Sequence, residues 1–434
     1  MKYNLKIKIN EFGPIKNTEI SFAPLMIFTG NSSLGKSYIN YLIYYFISSI
    51  TEKRGFFDDL VKNKIRNFKD QAFHITLEEI SDILSNHVQD FMRDFLGSPT
   101  LTCNVNFHLE SNDSIKSNDI KLQIENISDE MRKKLMLPEI DPKKFFFLTI
   151  DDKEKQLLFA NSKEESIAYN IQQKIQRKLW VQRITKSIIL PPARGSFVGE
   201  NFSFKEKIAT SAGMYSLFLK DYDYGLKKPF DIKGIKSFES SAAFFEEQIK
   251  LLTGGELISE KGMQYLILGS GEKIPLTAAA SSIKELSPLL FYLKNWGNFN
   301  LSICIEEPEA HLHPSMQIAV ANLLAACINR KMFIQLTTHS DYFLQRINQL
   351  LKLGKIRNND KAAYRKKTEK NESNLYLDEK DICAYYFHAD EDKNINITHM
   401  PIGHEGIPFS SFFQTIKELS EEDELINEQL EHIK

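Results

Sequence analysis

Gly30, four residues, Gly35, Lys36, Ser37: the stretch FTGNSSLGKS fits G-x-x-x-x-G-K-[ST] in full. Each residue type has a use in holding phosphate. Glycines let the backbone turn and aim successive N–H groups into one concavity. A lysine carries charge to the β- and γ-phosphates, and a serine hydroxyl suits Mg²⁺. Glycine, asparagine and serine also make ordinary turns, but a bare turn requires neither the lysine nor this spacing. Gly30, Asn31, Ser32, Ser33, Leu34, Gly35, Lys36 and Ser37 are therefore read as a nucleotide cradle, with Ser37 also a metal ligand.

Two further stretches carry matching chemistry. The apolar run LSICI ends in Glu306-Glu307. Adjacent carboxylates after a buried strand are costly unless something cationic meets them, and Mg²⁺ in a nucleotide site does so. Glu306 takes the place of the metal-binding acid, and Glu307 that of the general base that polarises water. A solvated pair at a helix start is the plain alternative for an isolated Glu-Glu; the phosphate loop upstream decides against it. His339, in IQLTTHS, falls at the carboxyl end of another strand, where ligands bind in open α/β sheets. A neutral imidazole there would donate to a γ-phosphate.

Strands and helices must alternate to bring these residues together. Tyr3 to Ile9 alternates as a strand, NEFGPIKN reads as a turn, and Thr18 to Phe22 as a second strand. Leu25 to Thr29 feeds the phosphate loop, and the helix runs from Lys36 to about Ser49. Residues 51–186 change character, with amphipathic helix over 56–96 and 164–185 and alternating strands between. The alternation of strand and helix resumes at SIILPPARGSF and continues through the hairpin MQYLILGSGEKIPLT, the helix SSIKELSPLLFYLKNW, the Glu-Glu strand and the His339 strand. The expected fold class is α/β: a P-loop core with a mixed, mostly parallel sheet covered on both faces, interrupted by a helical and β insertion. The expected divisions are 1–50, 51–186, 187–350 and 351–434.

Composition excludes several classes. The 434 residues are 42% hydrophobic and 26% charged, as in ordinary globular proteins. With 55 basic and 57 acidic residues the formal charge is −2, so any nucleic-acid surface must be a local patch. Cys103, Cys304, Cys327 and Cys383 are too scattered for a zinc site or a disulfide framework, which fits a reducing, cytoplasmic setting. The start MKYNLKIKIN alternates as a strand and is not read as a leader, and no apolar run is long enough to span a bilayer.

Five blocks together resemble the ABC-type ATPases of the OLD/RecF-like AAA group: INEFGPIKNTEI, FTGNSSLGKS, AAASSIKELSPLL, ICIEEPEAHLHP and QLTTHS. The resemblance does not cover 51–186 or the segment after about 350. It implies ATP and Mg²⁺ as ligands, Glu306 and Glu307 as the metal-binding and catalytic acids, and His311 and His313 in a dimer-facing loop. It also implies a homodimer or higher homo-oligomer in which the helix beginning at Ser281 completes the partner's nucleotide site. Two departures stand out. The family's loop opens G-x-N, whereas Asn31 here holds the variable place and Ser32 that of the asparagine. Ala280-Ser281-Ser282-Ile283-Lys284 replaces the transporter signature LSGGQ, and no Q-loop glutamine can be placed.

The function implied is a nucleotide-controlled clamp that senses or regulates for a separate effector, a nuclease or toxin, in bacterial antiphage defence. The alternative is a DNA-repair clamp. A transporter energy module is disfavoured by the missing LSGGQ, and no intrinsic nuclease is expected, since HADED at 388–392 reads as a turn between strands. Residues 352–370, rich in lysine and arginine, read as a solvated mobile loop, with a DNA contact as the sharper alternative. Arg194 is a candidate partner for phosphate or for a carboxylate across an interface. The acidic helix EEDELINEQLEHIK would pack or bind a partner.

Overall fold

The computed structural model describes residues 5–52, 56–67, 72–109, 120–136, 144–151, 154–178, 184–198, 213–227, 236–260, 262–367, 375–390, 393–408, 417 and 419–427. In chain order the strands are β1 (Leu5–Phe12), β2 (Ile15–Ser21), β3 (Leu25–Gly30), β4 (Ala72–Ile75), β5 (Cys103–Leu109), β6 (Ile120–Asn126), β7 (Phe145–Ile150), β8 (Glu154–Phe159), β9 (Lys186–Leu190), β10 (Gly255–Glu260), β11 (Met263–Leu268), β12 (Lys273–Pro275), β13 (Leu301–Glu306), β14 (Phe333–Thr337), β15 (Ile382–Ala389) and β16 (Ile395–Met400). The fold is α/β with a mixed, largely parallel main sheet. Two compact units divide the chain: Met1–Phe22 with Tyr41–Ile188 and Phe299–Ser302, and Ala23–Asn40 with Ile189–Asn298 and Ile303–Lys434.

In the first unit β1 pairs antiparallel with β2 and with β5. Its side chains alternate, burying Leu5, Ile7 and Ile9, as period-two strands with one covered face do. The turn into β2 is shorter than expected. Phe12 pairs with Ile15, so only Gly13 and Pro14 intervene and β2 starts three residues early. A separate antiparallel sheet runs β4-β6-β7-β8. The helix Leu77–Leu96 is fixed at both ends, by a capping box between Thr76 and Glu79 and by Gly97 in the left-handed conformation. It buries Leu77, Ile80, Leu84, Val88, Met92 and Phe95 along one stripe.

In the second unit the main sheet runs β16-β15-β3-β14-β13-β9. β3 lies parallel between β14 and β15 and is buried at all six residues. That accounts for its unbroken apolar run, since a strand covered on both faces cannot alternate. The expected hairpin is present as β11 and β12, and β10 adds a third strand to it. As far as Lys367 the basic stretch is largely helix, correcting the loop reading: Asp341–Asn359 runs on through it and Lys361–Lys367 follows, while 368–370 lie outside the described residues. Local ties hold it there. Lys352 bonds Glu405, Lys355 pairs with Glu379, and the Arg357 guanidinium lies 4.1 Å from the Tyr376 ring centre. The side chains of Arg365, Lys366 and Lys367, residues 391–392 of HADED, and 428–434 of the acidic tail lie outside the described residues. Among the described residues, no helix is long and apolar enough to cross a membrane.

Candidate active site

The second unit brings the phosphate loop, the Glu-Glu strand and the His339 strand to one place. β3 ends at Gly30, with φ +120°, a conformation that side chains rarely adopt. A Cβ at Gly30 would lie 2.1 Å from the Phe387 carbonyl oxygen of β15. Asn31 N–H donates to that same oxygen at 3.1 Å. Ser33 and Gly35 also have positive φ, so the loop curls tightly before its helix, Lys36–Thr51. Asn31, Ser32 and Ser33 are exposed; Leu34, Gly35 and Ser37 are half-buried.

Lys36 is buried, and its Nζ donates to the carbonyls of Gly30 (3.1 Å) and Asn31 (2.6 Å). Burial pulls its pKa down to about 8, against the opposing charges of Glu307 and Glu306.

Glu306, at the end of β13, is 3% exposed. Three donors hold it: Ser37 Oγ (2.6 Å) and Thr337 Oγ1 (2.7 Å) on Oε2, and Asn40 Nδ2 (2.7 Å) on Oε1. Burial raises its pKa and the three hydrogen bonds oppose that rise. Asn40 sits one turn along the helix from Ser37, on the same face, so the spacing Ser37-x-x-Asn40 makes two donors converge on one carboxylate. The loop and the acid strand are thus joined directly. A hydroxyl oxygen and a carboxylate oxygen side by side form a hard-oxygen donor pair, which suits Mg²⁺ rather than a soft metal. A glycine cradle closed to side chains, with a lysine at its rim, suits phosphate.

Glu307 is half-buried and left-handed, with φ +43°. A non-glycine residue in that region costs roughly 1–3 kcal/mol and persists only when its surroundings hold it. Its N–H donates to both O and Oγ1 of Thr337 at 3.2 Å. His339, half-buried, has a lowered pKa, from burial first and then the Lys36 charge, so its ring is neutral at pH 7.

Other predicted residues lie apart from this cluster. Ser281 is exposed at the first turn of the helix Ser281–Trp296, behind Ala280 as N-cap, and is linked to no residue of the phosphate loop. His313 caps the helix Pro314–Asn329, and His311 is exposed with φ +61°. Arg194 corrects expectation: it is fully buried and meets Glu285 of its own chain, so it is closed to phosphate and to any second chain.

Three participants escaped the sequence reading. Asn40 and Thr337 hold Glu306. Glu309, two residues past Glu307, is buried, and its Oε1 accepts from Thr338 Oγ1 and from His339 N–H, both at 2.7 Å. A third acid within EEPE was the available signal for Glu309.

A family model described as AAA ATPase domain matches residues 102–344, a span that takes in Glu306, Glu307 and His339. No curated protein matches. Among solved structures, an SMC head bound to the C-winged helix domain of ScpA is 13% identical with TM-score 0.40, over 92% of this chain and 98% of that one. An Smc head domain with an extended coiled coil, bound to the C-terminal domain of ScpA and derived from Pyrococcus furiosus, is 12% identical with TM-score 0.38, over 97% and 98%. An SMC head domain from Thermotoga maritima is 11% identical with TM-score 0.35, over 92% and 98%.

Proposed function

The chain belongs to the AAA ATPase domain family and is an ATP hydrolase, and from the geometry of its site we propose an ABC-type enzyme of the OLD/RecF-like group that closes as a dimer around ATP and regulates a separate effector protein. The observation that carries the chemistry is the 2.6 Å hydrogen bond between Ser37 Oγ and Glu306 Oε2. Two motifs far apart in sequence supply neighbouring oxygen ligands, as a nucleotide-bound cation requires.

Magnesium-bound ATP, when present, supplies the phosphoanhydride to be cut and the charge that offsets its oxygens. Lys36 turns its ammonium from the loop carbonyls to the β- and γ-phosphates, while the loop N–H groups wrap them. Ser37 and Glu306 would hold the cation, and Asn40 and Thr337 keep Glu306 aimed at it. Glu307 accepts a proton from the attacking water at a carboxylate oxygen. His339, neutral, donates to the γ-phosphate and so orients it. Ser281 presents a hydroxyl and a helix N-terminus to the phosphate of a second chain.

An effector-regulating role in antiphage defence suits this chain better than a DNA clamp. Lys352, Lys355 and Arg357 of the basic stretch are engaged within the chain, by Glu405, Glu379 and the Tyr376 ring, which draws on charges that a DNA backbone would need, while Lys361 is exposed. Isothermal binding and phosphate release test the site. Lys36→Ala is expected to abolish tight MgATP binding. Glu307→Gln is expected to keep binding and lower turnover at least about a hundredfold. Parental hydrolysis by Glu307→Gln would sink the assignment.

A further inference from the structure

Arg194 is 0% exposed, in the turn that follows β9, and none of the proposed chemistry uses it. Its Nη1 donates to the Glu306 carbonyl at 2.7 Å and to the Pro191 carbonyl at 3.1 Å. Its Nε donates to the Glu285 carbonyl at 2.9 Å and lies 3.7 Å from Glu285 Oε2. The next residue presses on the same helix: a Cβ at Gly195 would lie 2.9 Å from Glu285 Oε1 and 3.0 Å from Glu285 N. The turn therefore cannot shift without the helix Ser281–Trp296.

The carbonyl that Arg194 grips belongs to the peptide joining Glu306 to Glu307. The other end of that peptide, the Glu307 N–H, is held by Thr337 O and Oγ1. A peptide is planar, so holding its C=O and its N–H together fixes its orientation. That orientation carries Glu307 into the left-handed region, which an unrestrained glutamate would leave.

We infer that Arg194 is a positioning residue for Glu307: it locks the 306–307 peptide from the carbonyl side and ties it, through Glu285, to the helix that begins at Ser281. The planar guanidinium suits the task, since it spreads rigid donors over three carbonyls where a lysine offers one mobile ammonium. A shift of the Ser281 end would pass through Glu285 and Arg194 to the residue that activates water. The inference rests on Glu307 having that role.

The test uses the full chain with MgATP. Arg194→Lys is expected to lower kcat about tenfold, with ATP affinity within about twofold of parent because Lys36 and the loop are untouched. In a Glu307→Gln background the same change is expected to cost nothing more in residual single-turnover hydrolysis. Unchanged kcat, or an equal loss in both backgrounds, overturns the inference. If Glu307→Gln by itself leaves turnover at the parental level, the role of Glu307 fails, whatever Arg194 does. Should thermal melting show Arg194→Lys unfolded, Glu285→Gln replaces it: that variant keeps the main-chain acceptor and removes the counter-charge. A twofold to threefold fall in kcat that vanishes beside Glu307→Gln supports the link, and no change overturns it.

Discussion

Glu309 Oε1 accepts the main-chain N–H of His339 at 2.7 Å. A carboxylate on the segment after β13 thus fixes the backbone of the histidine after β14, and a second bond from Thr338 Oγ1 to the same oxygen reinforces it. Removing the acceptor strands two donors, at about 1–3 kcal/mol for each that stays buried. Glu309→Ala is expected to lower the melting temperature and kcat together. Glu309→Gln keeps Oε1 and replaces an oxygen whose protonation burial already favours, so it is expected to stay near parent in both. Equal damage from Ala and Gln would mean that charge, not the hydrogen bonds, is what Glu309 supplies.

Gly30 admits no side chain. With φ +120° and the Phe387 carbonyl in the way, Gly30→Ala must displace either the phosphate loop or β15. The expected loss exceeds about 2 kcal/mol, seen as a lower denaturation midpoint, together with lost MgATP binding. Normal binding by Gly30→Ala would show that the loop reshapes freely.

Lys36 sets a pH window. In the free protein its pKa is about 8. The protonated form is the one that phosphate needs, and bound phosphate raises the pKa. Above pH 8 binding must therefore take up a proton, so affinity is expected to be flat below pH 8 and to weaken by up to about tenfold per pH unit above it, until the bound-state pKa is reached. Stability runs the other way. The folded pKa lies below the ordinary 10.5, so between about 8 and 10.5 the unfolded chain holds more protons, and this group's contribution to stability rises with pH. ATP titrations from pH 7 to 10 decide the matter; an affinity independent of pH would remove Lys36 from the contact.

Ser281 is proposed to act on a second chain. Lys36→Ala and Ser281→Arg are each expected to be inactive alone. Mixed dimers retain one composite site with both native residues, so the mixture is expected to recover up to about a quarter of parental hydrolysis if each site fires independently. Nucleotide bound once per mixed dimer without turnover would mean coupled sites. No binding at all in proven mixed dimers would eliminate the shared site.

The residues legible from sequence were those whose chemistry is written in local spacing. Gly30 to Ser37 announces itself within eight letters, and Glu306-Glu307 and His339 are marked by the apolar strands before them. Their supports were not legible, because each depends on a partner elsewhere in the chain. Asn40 looks like a polar interruption in an apolar helix until Glu306 is brought to it. Arg194 looks available for an anion until three carbonyls surround it. The basic residues after 351 suggest a loop, but the helix runs on to Asn359, and there Lys352, Lys355 and Arg357 find local partners. The strand before HADED was legible as such, but nothing in its residues, Ile382 to Phe387, says that it lies beside β3.

That last placement has a consequence for how the molecule comes into being. β3 is a central strand, and Leu25 pairs with Ile334 on one side and Ile382 on the other. During synthesis the phosphate loop emerges early, yet its first glycine has nothing to lie against until Phe387 has been made. The nascent chain must therefore carry an apolar β3 without these neighbours until β14 and then β15 have been made, a long-range closure of the kind that folds slowly and exposes strand edges. The phosphate loop gains its full support only when β15 is in place, since Gly30 and Asn31 both lie against the Phe387 carbonyl. A ribosome-stalled chain ending before Ile382 would lack that support, leaving one edge of β3 and the back of the phosphate loop uncovered.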